Sequence, residues 1–255
     1  MAEILDAASG GGSAELPKMS FVQRMIGIYF EPKRTFEDIH RRGSWIGLVL
    51  LVSALVMTGY YLVVTRMDTQ TLIRKGLEQS PFTKNMPEER IQQILSRPVS
   101  PLQLYLQVVL APVGVMVSYL LVAGVLLLIF ILMGASLTYK KSLSVTIWGM
   151  STPLIILLLL GIFFVMIKDP DSLELNVVNN VVSNPGITVA EKEHPVLHGL
   201  LASLDPFSFW TIYLLAVGFS AVSSVRLTTS RAAMGVLMAW GIYVSGKLGV
   251  LALFG

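Results

Sequence analysis

Residues 108–133 read VVLAPVGVMVSYLLVAGVLLLIFILM, 26 positions without one charged side chain. A helix rises 1.5 Å per residue, so about 20 mainly apolar residues cross the hydrocarbon core of a bilayer. This stretch is long enough and apolar enough to do so. Working outward from it, four more stretches qualify: 45–64, 143–167, 209–225 and 232–254, the fourth span (209–225) being the shortest. The whole 255-residue chain agrees, with 54% hydrophobic and 14% charged residues and a mean hydropathy of +0.69. An ordinary soluble domain has about a quarter of its residues charged. The sequence therefore predicts an all-α integral membrane protein with five transmembrane helices. It contains no cysteine, which excludes disulfides, thiolate metal sites and cysteine nucleophiles.

Three regions are expected. Residues 1–19 form a polar tail, with Gly10, Gly11, Gly12 and Ser13 among the acids Glu3, Asp6 and Glu15, and do not read as a cleavable signal peptide. Residues 20–43 form amphipathic helices, and 44–255 form the five-span domain, with longer connections at 66–107 and 168–208. Basic residues are retained on the cytoplasmic side, chiefly those in short connections close to a span. Lys18, Arg24, Lys33, Arg34, Arg41 and Arg42 precede the first span, Lys140 and Lys141 lie in the short second connection, and Arg226 and Arg231 lie in the short fourth. The basic residues of the two long loops are spread over about 40 residues each. The reading is a cytoplasmic N-terminus, an outer C-terminus and two outer loops.

Ser20 is a candidate N-cap for a helix carrying Phe21, Met25 and Tyr29 one turn apart, with Val22 and Ile26 beside them. Glu31-Pro32 breaks it and opens another, on which Phe36 and Ile39 share a face flanked by cations. Such a helix suits the headgroup layer of a membrane, or packs beneath the span bundle; both arrangements stay open. In the first outer loop, 68–79 and the stretch opened by Pro87, Glu88 and Glu89 predict a helical hairpin, stopped by Pro98 and Pro101. In the second, 175–182 alternates enough to predict a strand, and Asn184-Pro185-Gly186 a turn.

Candidate sites are few. His194 and His198 stand one helical turn apart, but the stretch lacks the glutamate of a zinc HExxH motif, so no metal is expected. Lys247 is a charge within the last span, which makes it a functional candidate; a lysine so near the outer end also reaches the headgroups. A silent Lys247→Met is expected in that second case. Small residues recur at helical spacing (Ala216, Ser220, Ser224; then Gly241, Ser245, Gly249), a pattern that lets helices approach closely in lipid. Pro153 and Pro112 lie early in their spans, and Pro153 frees a carbonyl near Gly149, as a kink or, in a transporter, a site. There is no Gly-x-Ser-x-Gly, no Walker lysine and no pair of intramembrane aspartates. No catalytic residue, cofactor or nucleic-acid partner is expected, and the chain is not read as an enzyme.

The stretch Tyr29-Phe30-Glu31-Pro32-Lys33-Arg34-Thr35-Phe36-Glu37-Asp38-Ile39 resembles the motif that leads into the first span of bacterial Yip-domain (Ypt/Rab-interacting-protein-like) membrane proteins. Thr146-Ile147-Trp148 followed by Pro153 also fits, as does Leu204-Asp205-Pro206-Phe207-Ser208-Phe209-Trp210 with Leu215-Ala216-Val217-Gly218-Phe219. The resemblance covers about residues 20–255 and marks Phe30, Pro32, Phe36, Ile39, Pro153, Pro206 and Phe207 as motif or interaction positions. It implies a five-span helical domain in a bacterial inner membrane. The Asp-Leu-Tyr-Gly-Pro motif of the eukaryotic relatives is missing, so their GTPase binding is not carried over. Some bacterial members look like accessory subunits of export-type ABC transporters. The expected function is that of an accessory or organising subunit, with membrane lipids and a membrane-protein partner, and with homo-oligomers open. A small transporter or channel is the alternative, and a lipid-handling enzyme the third reading.

Overall fold

A computed structural model describes residues 18–42, 44–80, 83, 86–191, 193–223 and 227–254. The expected polar tail therefore lies almost entirely outside the described residues, as does Ser224. The described chain is helical, with α1 (Phe21–Phe30), α2 (Pro32–Arg42), α3 (Ile46–Arg66), α4 (Thr69–Gln79) and α5 (Glu88–Leu95) followed by α6 (Pro101–Leu132) and α7 (Tyr139–Ile167). After three 3₁₀ turns come α8 (Pro195–Leu201), α9 (Pro206–Val222) and α10 (Thr229–Phe254). Four helices, α3, α6, α7 and α10, are each long and apolar enough to cross a membrane; α8 and α9, bent by 53° at their junction, together make the fifth candidate. The shortness of the fourth span thus has a structural form, a 17-residue helix with a corner before it.

Helix α7 is the axis of the bundle, packed by α3, α6 and α9, with α2 seated on α9 and α7, and α10 on α9 and α6. Its inward residues include Trp148, fully enclosed, with Val145, Ile155, Leu158 and Val165. Small residues permit the close approaches, as lipid-embedded helices require. A Cβ on Gly149 would lie 2.8 Å from the Leu215 side chain of α9, and one on Gly161 would meet the Val177 backbone. Helices α3 and α7 run parallel, because Gly59 of α3 faces Ile162 and Arg66 reaches Val165 and Lys168. Phe130 near the end of α6 meets Phe219 of α9 and Gly235 of α10. The bundle therefore has a near end, where α2, α6 and α9 finish and α7 and α10 begin. Its far end carries α4, α5 and α8.

The spans start and stop where local chemistry dictates. Helix α6 begins seven residues before the stretch that marked it, because Ser100 and Gln103 form a capping box and Pro101 takes the first helical position. Pro101 thus starts a helix as well as ending the loop. Helix α7 runs on through Pro153 without interruption. The strand expected at 175–182 is absent. Asn176 accepts from the Val178 amide and opens a 3₁₀ turn, Val177–Asn180, and the Asn180 side chain bonds the amide and carbonyl of Glu174. Asparagine side chains compete with a strand ladder for these backbone groups, which is why the alternation misled.

Candidate interaction surfaces at the two ends

Helix α1 is capped by Ser20, whose side chain bonds Gln23 reciprocally, and Glu31-Pro32 turns the chain into α2. Buried between the two helices, Arg24 Nε donates to Asp38 Oδ2 at 2.7 Å, with side chains only 7% and 13% exposed. Thr35 Oγ1 donates to Glu31 O and lies where Gly27 has no side chain. These contacts fix α1 and α2 as one hairpin.

The hairpin is wedged into the bundle. Phe36 is fully buried, its ring against Gly218 of α9 beside Val145 of α7. Ile39 is buried too, and Pro32 is half-buried at the start of α2. Phe21 covers Gly47 and tilts against Trp148 at 6.1 Å. Tyr29 donates to Thr152 O at 3.2 Å and sets its ring edge on Trp210 at 5.5 Å. Of the two arrangements expected for the second helix, the packed one is what α2 adopts. The apolar face of α2 packs on the bundle, while Val22, Ile26 and Phe30 of α1 stay exposed, Phe30 at 82%.

The far end is built mainly by cations donating to carbonyls. Arg66, in the last turn of α3, donates to Val165 O and Lys168 O and so caps α7. Lys75 of α4 donates to Asp171 O and Leu173 O, Gln79 to Glu174, and Lys168 to Asn180 O. Arg74 bonds Glu88 at 3.0 Å and joins α4 to α5, holding the Glu88 carboxyl below the usual carboxylate range. The two long connections thus form one interlocked far-end unit, with Leu173 fully buried.

Lys247 belongs to the same pattern. Its Nζ donates to Gly199 O at 3.1 Å and to Ser203 Oγ at 3.2 Å, closing the C-terminal turn of α8. It lies toward the far end, as expected, but is bound rather than extended to the headgroups. Ser220 belongs to the near end, donating to Leu227 O and sitting 3.4 Å from Thr229. Thr229 and Lys247 are separated by 18 residues of α10, about 27 Å of helix rise. The apolar groove of about 570 Å³ between α6, α9 and α10 includes Thr211, Trp240 and Tyr243 but neither Lys247 nor Ser220.

The remaining candidates resolve locally. Pro206 opens α9 beneath the Asp205 cap, whose Oδ1 accepts from the Phe207 and Ser208 amides; Phe207 is half-buried. Pro153 is buried in α7, away from either end's charged groups. His198 Nδ1 donates to Val189 O at 2.9 Å, and its other nitrogen stands 4.0 Å from Glu191. Among the described residues no group of three metal-ligating side chains comes together. Glycines 241 and 249 have open space where a Cβ would stand, so that stripe is not a contact within the chain, whereas Ala216 is buried. Sequence reasoning missed Arg24, Asp38 and Tyr29 as the joints of the hairpin. The signal was there in part: Arg24 is the one cation in an otherwise apolar helix.

No curated protein and no solved structure matches the chain. The Yip1 domain family does, from residue 26 to residue 250, a match that takes in the second half of α1, all of α2 and all or most of every candidate span. The chain is a member of the Yip1 domain family.

Proposed function

We propose that this protein is a non-enzymatic accessory or organising subunit of its membrane, working through protein partners held at the two ends of the bundle. The observation that supports this most is how Lys247, the charge deepest in a span sequence, is used: it caps α8 instead of facing a path through the bundle. A transported ion or a reacting substrate would need polar groups free to meet it. Within the bundle Tyr119 pairs with Ser151 at 2.7 Å and Ser142 donates to Ala123 O, and the two α7 polar atoms left without a partner, Thr146 Oγ1 and Trp148 Nε1, are fully enclosed. Rigid surface is offered instead by the hairpin and the interlocked far-end unit.

In the proposed orientation the hairpin is cytoplasmic and the far-end unit lies outside, in a bacterial inner membrane, since unpaired basic residues gather at the near end. The partner class that fits the resemblance is a membrane protein such as an export-type ABC transporter. The test is mild-detergent purification of the full chain with mass spectrometry of the chains that come with it. A stoichiometric membrane partner, lost when the far-end joint is cut by Lys75→Ala with Arg66→Ala, is expected. A lone homo-oligomer that moves a solute across vesicles would overturn the reading in favour of a small transporter.

A further inference from the structure

The cations of the two ends are used differently. At the far end Arg66, Lys75, Lys168 and Lys247 all donate to backbone carbonyls, and Arg74 is paired with Glu88. Among the described residues Arg90 and Arg97 are the exposed exceptions, and they stand apart on and just after α5. At the near end, α2 and α7 bring His40 beside Lys141, because Phe36 lies beside Val145 and each residue is one turn from its neighbour. Arg41 and Lys140 adjoin them, and none of the four has an acid within ion-pair distance among the described residues. Glu37 lies on the same helix but pairs with none of them.

The position of the lysines adds to the imbalance. Lys140 and Lys141 stand in the first turn of α7, where the helix dipole presents its positive end and favours anions over cations. Crowding shows at His40, whose imidazole is held below its ordinary range by burial, then by the charges of Lys141 and Arg41. Locked to this cluster through Arg24–Asp38 is α1 with its uncovered stripe of Val22, Ile26 and Phe30. An apolar stripe and a cation cluster on one rigid hairpin complement an apolar layer faced with negative charge.

We infer that the hairpin and the first turn of α7 form a binding surface for anionic phospholipid of the leaflet in which the near end sits. Val22, Ile26 and Phe30 enter the acyl region, and Arg41, His40, Lys140 and Lys141 hold the headgroup phosphates. The inference deepens the partner reading by giving this part of the hairpin to lipid, yet it is separable: lipid selectivity survives even if no protein partner is found.

The test uses the full chain in mild detergent, with native mass spectrometry of retained lipid after exchange against equal phosphatidylglycerol and phosphatidylcholine, and with thermal unfolding as a second readout. Phosphatidylglycerol is expected to be retained preferentially and to raise the unfolding temperature. Lys140→Gln with Lys141→Gln should cut that preference by on the order of tenfold, since surface cations contribute about 1 kcal/mol each toward an anionic leaflet. Arg90→Gln with Arg97→Gln should leave it unchanged. Both variants alter exposed or half-exposed side chains, and Val22→Ser with Ile26→Ser weakens lipid retention without touching the charges. Equal retention of the two lipids, a preference unchanged by the lysine pair, or full competition by millimolar inorganic phosphate would overturn the inference, the last by assigning the cluster to a soluble anion.

Discussion

Phe36 shows how one side chain sets the junction between hairpin and bundle. Its ring occupies the space opposite Gly218, where a Cβ would stand 2.9 Å from it and 2.6 Å from Val145. Cutting a buried phenylalanine to alanine costs about 3–5 kcal/mol in a soluble core. Between helices in lipid the hydrophobic drive is weaker, so Phe36→Ala should cost about 2–3 kcal/mol in a detergent unfolding assay. Gly218→Ala should cost about 1–3 kcal/mol by overpacking, and the double variant less than the sum, because the neighbours share one space. Strict additivity would show that the two sites are not in contact. Lys247→Met, expected to be silent if the amine merely reached the headgroups, should instead cost about 1 kcal/mol by removing the donor from Gly199 O. An unchanged unfolding temperature would return Lys247 to the headgroup reading. His40 makes the near end pH-sensitive. Its folded pKa lies below the ordinary 6.5, so the unfolded chain binds the proton more readily. Stability is therefore full above about pH 6.5 and falls as pH drops through and below it. His40→Gln should flatten the acid side of a plot of unfolding temperature against pH, and an equally steep plot would contradict the assignment.

Most elements were legible because their causes are local. Ser20, Pro32, Asp68 and the Glu88-Glu89 pair each announce a helix start, and the structure has helices at all four. The boundaries less well read were those set by residues outside the apolar run. Ser100-Pro101 extends α6 outward, and Thr138 caps α7 five residues before its hydrophobic stretch. The 175–182 segment failed for a different reason, since what decides it is Asn180 bonding Glu174, a contact no periodicity encodes. The motif at the start of α9 has a physical role: Asp205 accepts two amides of the first turn, and Pro206 needs no donor there. Asp205→Ala should cost about 1 kcal/mol in thermal unfolding, with Asp205→Asn losing much less. Equal losses would mean that the carboxylate does something other than cap the helix.

The joints between elements are what the sequence concealed. Arg24 meets Asp38, Tyr29 meets Thr152 and Trp210, and Lys75 crosses from the first long connection to the second. Each depends on which helices become neighbours, so composition and hydropathy reach the bundle but not its two built ends. Everything proposed for those ends depends on their lying on opposite faces of the membrane, with five crossings between. The sequence has no cysteine, so single cysteines can be placed in an otherwise silent chain and labelled with a membrane-impermeant maleimide on intact cells. Lys33→Cys and Thr228→Cys should be protected until the membrane is opened, while Glu89→Cys, Asp171→Cys and Glu193→Cys should label at once. Labelling of Lys33→Cys together with Asp171→Cys, or protection of both, would put the hairpin and the far-end unit on one face and contradict the five-crossing arrangement.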